Sequence, residues 1–222
     1  MLSLQAPGFP SALSVLHNEP LPATSPTMPV DTTAINRQRH DLSDREEVWL
    51  FGYGSLIFKA DFPWRECRPG AIAGWARRFW QGSHDHRGTP DAPGRVATLV
   101  RQSSVRCGGM GYRVGPEVFE HLDYREKNGY LRFMTDMTLV DGRHVDALVY
   151  IATEDNAAWL GPAPEDAIAR QIARCRGPSG DNAEYLLRLA RALRALGEED
   201  PHVFAIEQHL RALAPAIAMA GE

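Results

Sequence analysis

Cysteine is scarce in this sequence: Cys67, Cys107 and Cys175 are its only three in 222 residues, far apart and with no CxxC pair. So sparse and odd a set supports neither a disulfide framework nor a structural zinc site, and it suits a reducing compartment such as the cytoplasm. No apolar run approaches the roughly 20 residues that a transmembrane helix needs, so no membrane partner is expected. The opening stretch MLSLQAPGFPSALSV lacks the basic start of a secretory signal and carries proline within its apolar part. Basic excess is missing too: 24 Lys and Arg stand against 28 Asp and Glu, a formal charge of −4. Nucleic acid is therefore a poor partner. No internal repeat is present.

With 44% hydrophobic and 23% charged residues, the chain fits one globular domain with or without a tail. Residues 1–45 read as a flexible leader, because Pro7, Pro10, Pro20, Pro22, Pro26 and Pro29 lie among Ser, Thr and Ala with no sustained period. The folded domain is then expected over 46–222. Strand patterns come first: VWLF from Val48, WARRFWQG after Gly74, RVATLV from Arg95 and MGYRV from Met110. Pro116 to Lys127 predicts a short helix with Val118, Phe119 and Leu122 on one face. Two further strands, 131–140 and 145–153, flank Asp141-Gly142, a tight hairpin signal. The last third reads as helical. A helix from Pro164 is expected to end on a left-handed cap at Gly177 before Pro178, and Asp181 with Glu184 suggests a capping box. Tyr185, Leu189, Leu193 and Leu196 line one face of the next helix, and a final one runs through 203–213. Strands followed by helices predict an α+β domain built on a mostly antiparallel sheet or small barrel.

The chemically suggestive stretch is FGYGSLI, 51–57. It is not a dinucleotide fingerprint, since Ile57 stands where the third glycine belongs, nor a G-x-S-x-G nucleophile turn, and no Walker lysine follows. An end-of-strand turn whose backbone N–H groups converge on an anion remains open, beside a plain bulge. His84-Asp85-His86 has metal-ligand types but no third ligand at a recognisable spacing, so it reads as a loop and no metal is expected. Trp75, Phe79 and Trp80 with Arg77 and Arg78 read as core plus a half-exposed strand face. Glu126 in YREKNGY is either a solvated charge or a general base. Its place near a helix C-terminus, where the dipole disfavours an anion, would raise its pKa.

Together these segments resemble the ChaC-like γ-glutamylcyclotransferases. The resemblance rests on FGYGSLI at 51–57, RRFWQGSHDHRGTPDAPGRVATL at 77–99, YREKNGY at 124–130, WLGPAPEDAIARQI at 159–172 and RGPSGDNAEYLLRLA at 176–190, spanning about 48–210. It implies a γ-glutamylcyclotransferase-like small mixed β-barrel with flanking helices. The implied reaction cleaves glutathione to 5-oxoproline and cysteinylglycine, with no metal or organic cofactor. Carried over by position, the turn formed by Phe51, Gly52, Tyr53, Gly54, Ser55 and Leu56 is the substrate-binding loop. Glu126 is the proton acceptor, and Tyr130 lines the pocket. Alternatives are γ-glutamyl dipeptides or γ-glutamylamines as substrates, or a non-catalytic γ-glutamyl-binding module. The resemblance says nothing of the leader.

Overall fold

The computed structural model describes residues 31–219, with side chains to residue 213. Helix α1 (Thr33–Arg39) is followed by β1 (Val48–Gly52) and a 3-10 turn at Ser55–Ile57. Two long strands, β2 (Glu66–Ser83) and β3 (Gly94–Val114), lead to α2 (Val118–Arg125), β4 (Tyr130–Leu139) and β5 (His144–Ala152). Helix α3 (Glu165–Arg174), a small ribbon of β6 (Arg176–Gly177) and β7 (Gly180–Asp181), α4 (Asn182–Ala195) and α5 (Pro201–Met219) complete the chain. The five long strands close a barrel in the order β1-β3-β2-β4-β5. Its seam is parallel, Trp49 opposite Ala147 and Leu50 opposite Leu148. The α+β small-barrel class expected from sequence is the fold observed.

The seam explains why VWLF is a continuous apolar run. Alternate residues of β1 and β5 point to opposite faces, and both faces are covered. Phe51, Tyr53, Ala147, Val149 and Ile151 join a core beneath α3, α4 and α5. Val48, Leu50, Leu148 and Tyr150 join a second core with Val118, Phe119 and Leu122 of α2. A strand buried on both faces has no polar alternation to show.

Four expectations need correction. Thr33–Arg39 form a helix packed on the barrel, so the folded chain begins before the boundary placed at 45. A seven-residue helix is too short to show a period, and its hold is polar rather than apolar. The leader expectation for 1–30 falls outside the described residues. Helix α3 ends with Cys175 in an extended conformation, and Gly177 sits in the β6–β7 ribbon instead of a left-handed cap. The capping box is not made: Asp181 forms no side-chain cap, and Glu184 turns to Arg87 at 2.8 Å because a guanidinium outcompetes a backbone N–H. The β4–β5 hairpin forms as expected, but only Gly142 of the turn pair has positive φ, +88°. Gly142 N–H donates to Leu139 C=O at 2.9 Å, giving a three-residue loop rather than a two-residue one.

Candidate active site

The site lies where β1 ends. Its chain turns sharply after Gly52: a Cβ there would come within 2.6 Å of the Leu56 Cβ, and one on Gly54 within 3.1 Å of the Tyr185 hydroxyl. Both glycines are thus demanded by close approach, the turn to itself and Tyr185 to the turn. The amides of Gly54, Ser55 and Leu56 donate to no acceptor among the described residues, whereas Ile57, Phe58 and Lys59 N–H close the 3-10 turn. Three adjacent backbone N–H groups at the start of this turn are thus left without a protein acceptor.

This turn is fixed from behind by Arg77 of β2, which is 2% exposed. Its Nε donates to Tyr53 C=O at 2.6 Å, one terminal nitrogen bonds Asp200 at 2.6 Å and the other donates to Gly108 C=O. Each of the three guanidinium nitrogens is bonded, and the Asp200 carboxylate pairs the buried charge.

Two tyrosine hydroxyls meet at Ala97 of β3, and a third bonds β5. Tyr130 donates to Ala97 C=O at 3.0 Å, the Tyr185 hydroxyl accepts from Ala97 N–H at 3.3 Å, and Tyr53 donates to Tyr150 C=O at 2.8 Å. Burial pushes all three above the ordinary phenol value, Tyr185 up to about 12. The negative charge of Glu126 adds to the upward shift of each, which places its carboxyl in the same neighbourhood.

Glu126 caps the C-terminus of α2, and its side chain is 18% exposed. Burial raises its pKa above the usual carboxylate value. Arg125 and His86 pull the other way, and Asp85 and Asp61 reinforce the rise. The direction matches the sequence reading, but the chief cause is lost hydration rather than the helix dipole. With the phenols held protonated, Glu126 is the group here whose titration moves toward neutrality.

Arg125 ties Glu126 to the turn. It donates to the Ser55 hydroxyl at 2.7 Å and to Asp61 at 2.6 Å, and its Nε stands 3.4 Å from the Glu126 carboxylate. The YREKNGY loop then leaves α2 through Gly129, whose φ of +91° disfavours a side chain and whose C=O accepts from Asn156 at 2.8 Å. Asn128 bonds Asp85, and His86 pairs with Ser179, so HDH serves as a braced loop.

Of the residues singled out in sequence, Tyr53, Gly54, Ser55, Glu126 and Tyr130 come together. Gly52 shapes the turn, whereas Phe51 and Leu56 point into the two cores. Sequence reasoning overlooked Tyr185, taken as part of an apolar helix face, together with Arg77 and Arg125. Tyr185 carried one signal, a hydroxyl on a stripe otherwise made of leucine. Arg77 and Arg125 carried none that separates them from the 22 other Lys and Arg residues. Two open cavities, about 860 and 760 Å³, lie elsewhere: one among α3, α4 and α5, the other beside Asp200 and His202. Neither is lined by Glu126, Tyr53 or Tyr130, so the site is defined by converging groups and not by cavity size.

Residues 48–213 match the model of the family described as ChaC-like protein. The chain belongs to the ChaC-like family. A zebrafish (Danio rerio) relative, glutathione-specific gamma-glutamylcyclotransferase 1, is 43% identical over 81% of this chain and 96% of its own. Gamma-glutamylcyclotransferase 2-3 of Arabidopsis thaliana is 44% identical over 74% of this chain and 88% of its own. Among solved structures, the yeast γ-glutamyl cyclotransferase specific to glutathione superposes with a TM-score of 0.71 at 32% identity, covering 76% of this ChaC-like chain and 97% of that one. The ordered segment before residue 48 lies outside the family match.

Proposed function

We propose that this ChaC-like protein is a glutathione-specific γ-glutamylcyclotransferase that releases 5-oxoproline and cysteinylglycine. The observation that carries the reading is a partly buried carboxyl of raised pKa, Glu126, close enough to three protonated phenols to raise their pKa values, with Arg125 linking it to a turn with free amides. Both relatives above 40% identity are named γ-glutamylcyclotransferases, and the zebrafish name adds glutathione specificity.

In the reaction, Glu126 as carboxylate takes a proton from the substrate α-ammonium. The freed α-amine attacks the γ-carbonyl carbon and closes a five-membered ring. The bond from that carbon to the cysteine nitrogen then breaks, Glu126 returns the proton to the departing amine, and the ring nitrogen gives up its second proton by the same route, so that 5-oxoproline leaves as a neutral lactam and the amine of cysteinylglycine as an ammonium. No water is consumed and no electron changes hands. Such proton transfers contribute roughly 10²- to 10⁴-fold, and holding nucleophile and carbonyl together supplies several kcal/mol more. The free amides of Gly54, Ser55 and Leu56 hold a carboxylate or the developing oxyanion, and the hydroxyls of Tyr53, Tyr130 and Tyr185 orient the γ-glutamyl group without titrating. The three free cysteines suit a reducing setting, and the proposal places the reaction in the cytoplasm.

The test is incubation with reduced glutathione, without added metal or nucleotide, and mass-spectrometric detection of both products. Equal amounts are expected from the wild type and a loss of at least ~10²-fold from a folded Glu126→Gln variant. Turnover of γ-glutamylalanine but not glutathione would move the substrate assignment; no 5-oxoproline from either would overturn the reaction.

A further inference from the structure

Strand β4 carries the Glu126 loop into the barrel, and one of its edges lacks a strand partner over its first half. It pairs with β5 from Tyr130 to Thr138, but with β2 only at Met137, Thr138 and Leu139. The backbone groups of 127–132 on that side need other partners. Helix α1 and the residue before it supply them. Thr32 N–H donates to Lys127 C=O at 2.9 Å, and its hydroxyl lies 3.0 Å from the same oxygen and 2.9 Å from Tyr130 C=O. Asn36, fully buried, donates from its amide nitrogen to Tyr130 C=O at 2.9 Å and accepts from Arg132 N–H at 2.8 Å. Its side-chain amide thus copies the peptide group a neighbouring strand would offer on either side of Leu131. Asp31 adds a short bridge to Asn128.

Within the loop itself the bonds are local: Gly129 N–H to Lys127 C=O and Tyr130 N–H to Glu126 C=O. Local bonds fix the bend; where it sits relative to the barrel is set by partners outside it, Asn156 and Asp85 together with Thr32 and Asn36. We propose that Thr32 and Asn36 are positioning residues that clamp 127–132 from outside and so set where the Glu126 carboxyl points. The clamp belongs to this chain's segment before residue 48, beyond the family match. The inference rests on Glu126 as the proton acceptor of the proposed reaction.

The test uses full-length Thr32→Val, Thr32→Ser and Asn36→Ala. Valine keeps the shape and the backbone bond of Thr32 but removes the hydroxyl, and serine restores it. Expected are a kcat lower by about tenfold in Thr32→Val and more in Asn36→Ala, with KM within twofold and recovery in Thr32→Ser. Hydrogen exchange at Gly129, Tyr130 and Arg132 is expected to quicken about tenfold or more while that of β5 stays unchanged. A drop in melting temperature with kcat and exchange of 127–132 unchanged would overturn the clamp. Should Asn36→Ala fail to fold, Thr32→Val decides. If the wild type makes no 5-oxoproline, the functional reading falls, and exchange across 127–132 still decides whether the clamp exists.

Discussion

The two halves of the candidate site are held by different means. The glycine turn sits at the end of a strand buried on both faces, and each of the three nitrogens of the guanidinium behind it makes a hydrogen bond. The Glu126 loop hangs from the end of an eight-residue helix and is pinned by side chains of α1, Asn156 and Asp85. One half is part of the core; the other is attached to it. For the proposed reaction, in which a γ-glutamyl group is held in a fixed bend while protons move to and from Glu126, a rigid binding side and an acid set by adjustable bonds are an advantage. This contrast predicts that damage to the turn costs stability and activity together, whereas damage to the loop costs activity first.

The largest effect is expected at Arg77. Replacing it with Met strands Asp200 and frees the Tyr53 carbonyl, a broken buried pair that costs about 3–5 kcal/mol. At this length that lowers the melting temperature by about 10 °C, and activity should fall with it. A scan and an assay on one sample check both. Full activity in a protein that has lost that stability would dissolve the contrast.

Gly129→Ala comes next and probes the other half. At φ +91° an alanine is strained, and its Cβ would run into the Asn156 side chain. That backbone cost is about 1–3 kcal/mol. Because the loop is attached at the rim, the expected signature is kcat falling by about tenfold or more with only a few degrees lost in melting temperature.

Legibility in the sequence divides along the same line. The barrel strands, the α2 face of Val118, Phe119 and Leu122 and the two-glycine turn could be read because they follow from apolar period or from glycine's lack of a side chain. Long-range polar bonds could not. Arg77 reaches Asp200 across 123 residues and Asn36 reaches Arg132 across 96. Neither leaves a periodic trace, and Asn36 lies in a stretch whose composition reads as leader. Tyr185 was hidden for the opposite reason: it fits the apolar stripe of α4, and only folding brings its hydroxyl to Ala97.

A smaller effect separates charge from shape in the loop. Burial raises the Glu126 pKa, so the folded state holds the proton more tightly than the unfolded chain does. The stability this contributes is fully present below the ordinary glutamate value of 4.5 and is lost as pH rises through the folded pKa. Glu126→Gln should therefore melt higher than wild type at neutral pH, and the gap should close toward pH 4.5. Activity of the wild type should fall as pH drops through that same raised value, because the base must be ionised to act. Melting curves and kcat/KM across pH check the two together. A gap that is constant with pH would show that the carboxylate is not desolvated.

The smallest expected effect falls on the bond that joins the halves. Ser55 belongs to the turn, and its hydroxyl accepts from Arg125, which also flanks the Glu126 carboxylate. Ser55→Ala removes this link but leaves Arg125 bonded to Asp61 at 2.6 Å and leaves the Ser55 amide in place. One hydrogen bond to a charged group is worth about 1.5–3 kcal/mol at most, and the retained Asp61 pair reduces the loss to about 1 kcal/mol. Melting should shift by only about 2–4 °C. If the halves are set independently, kcat stays within about threefold of wild type, with the change appearing in KM, because the turn retains its amides and the clamp retains Glu126. A kcat loss as large as that of Gly129→Ala would mean that Arg125, and not the clamp at Thr32 and Asn36, aims the carboxylate. Full kinetics on Ser55→Ala beside Thr32→Val separate the two.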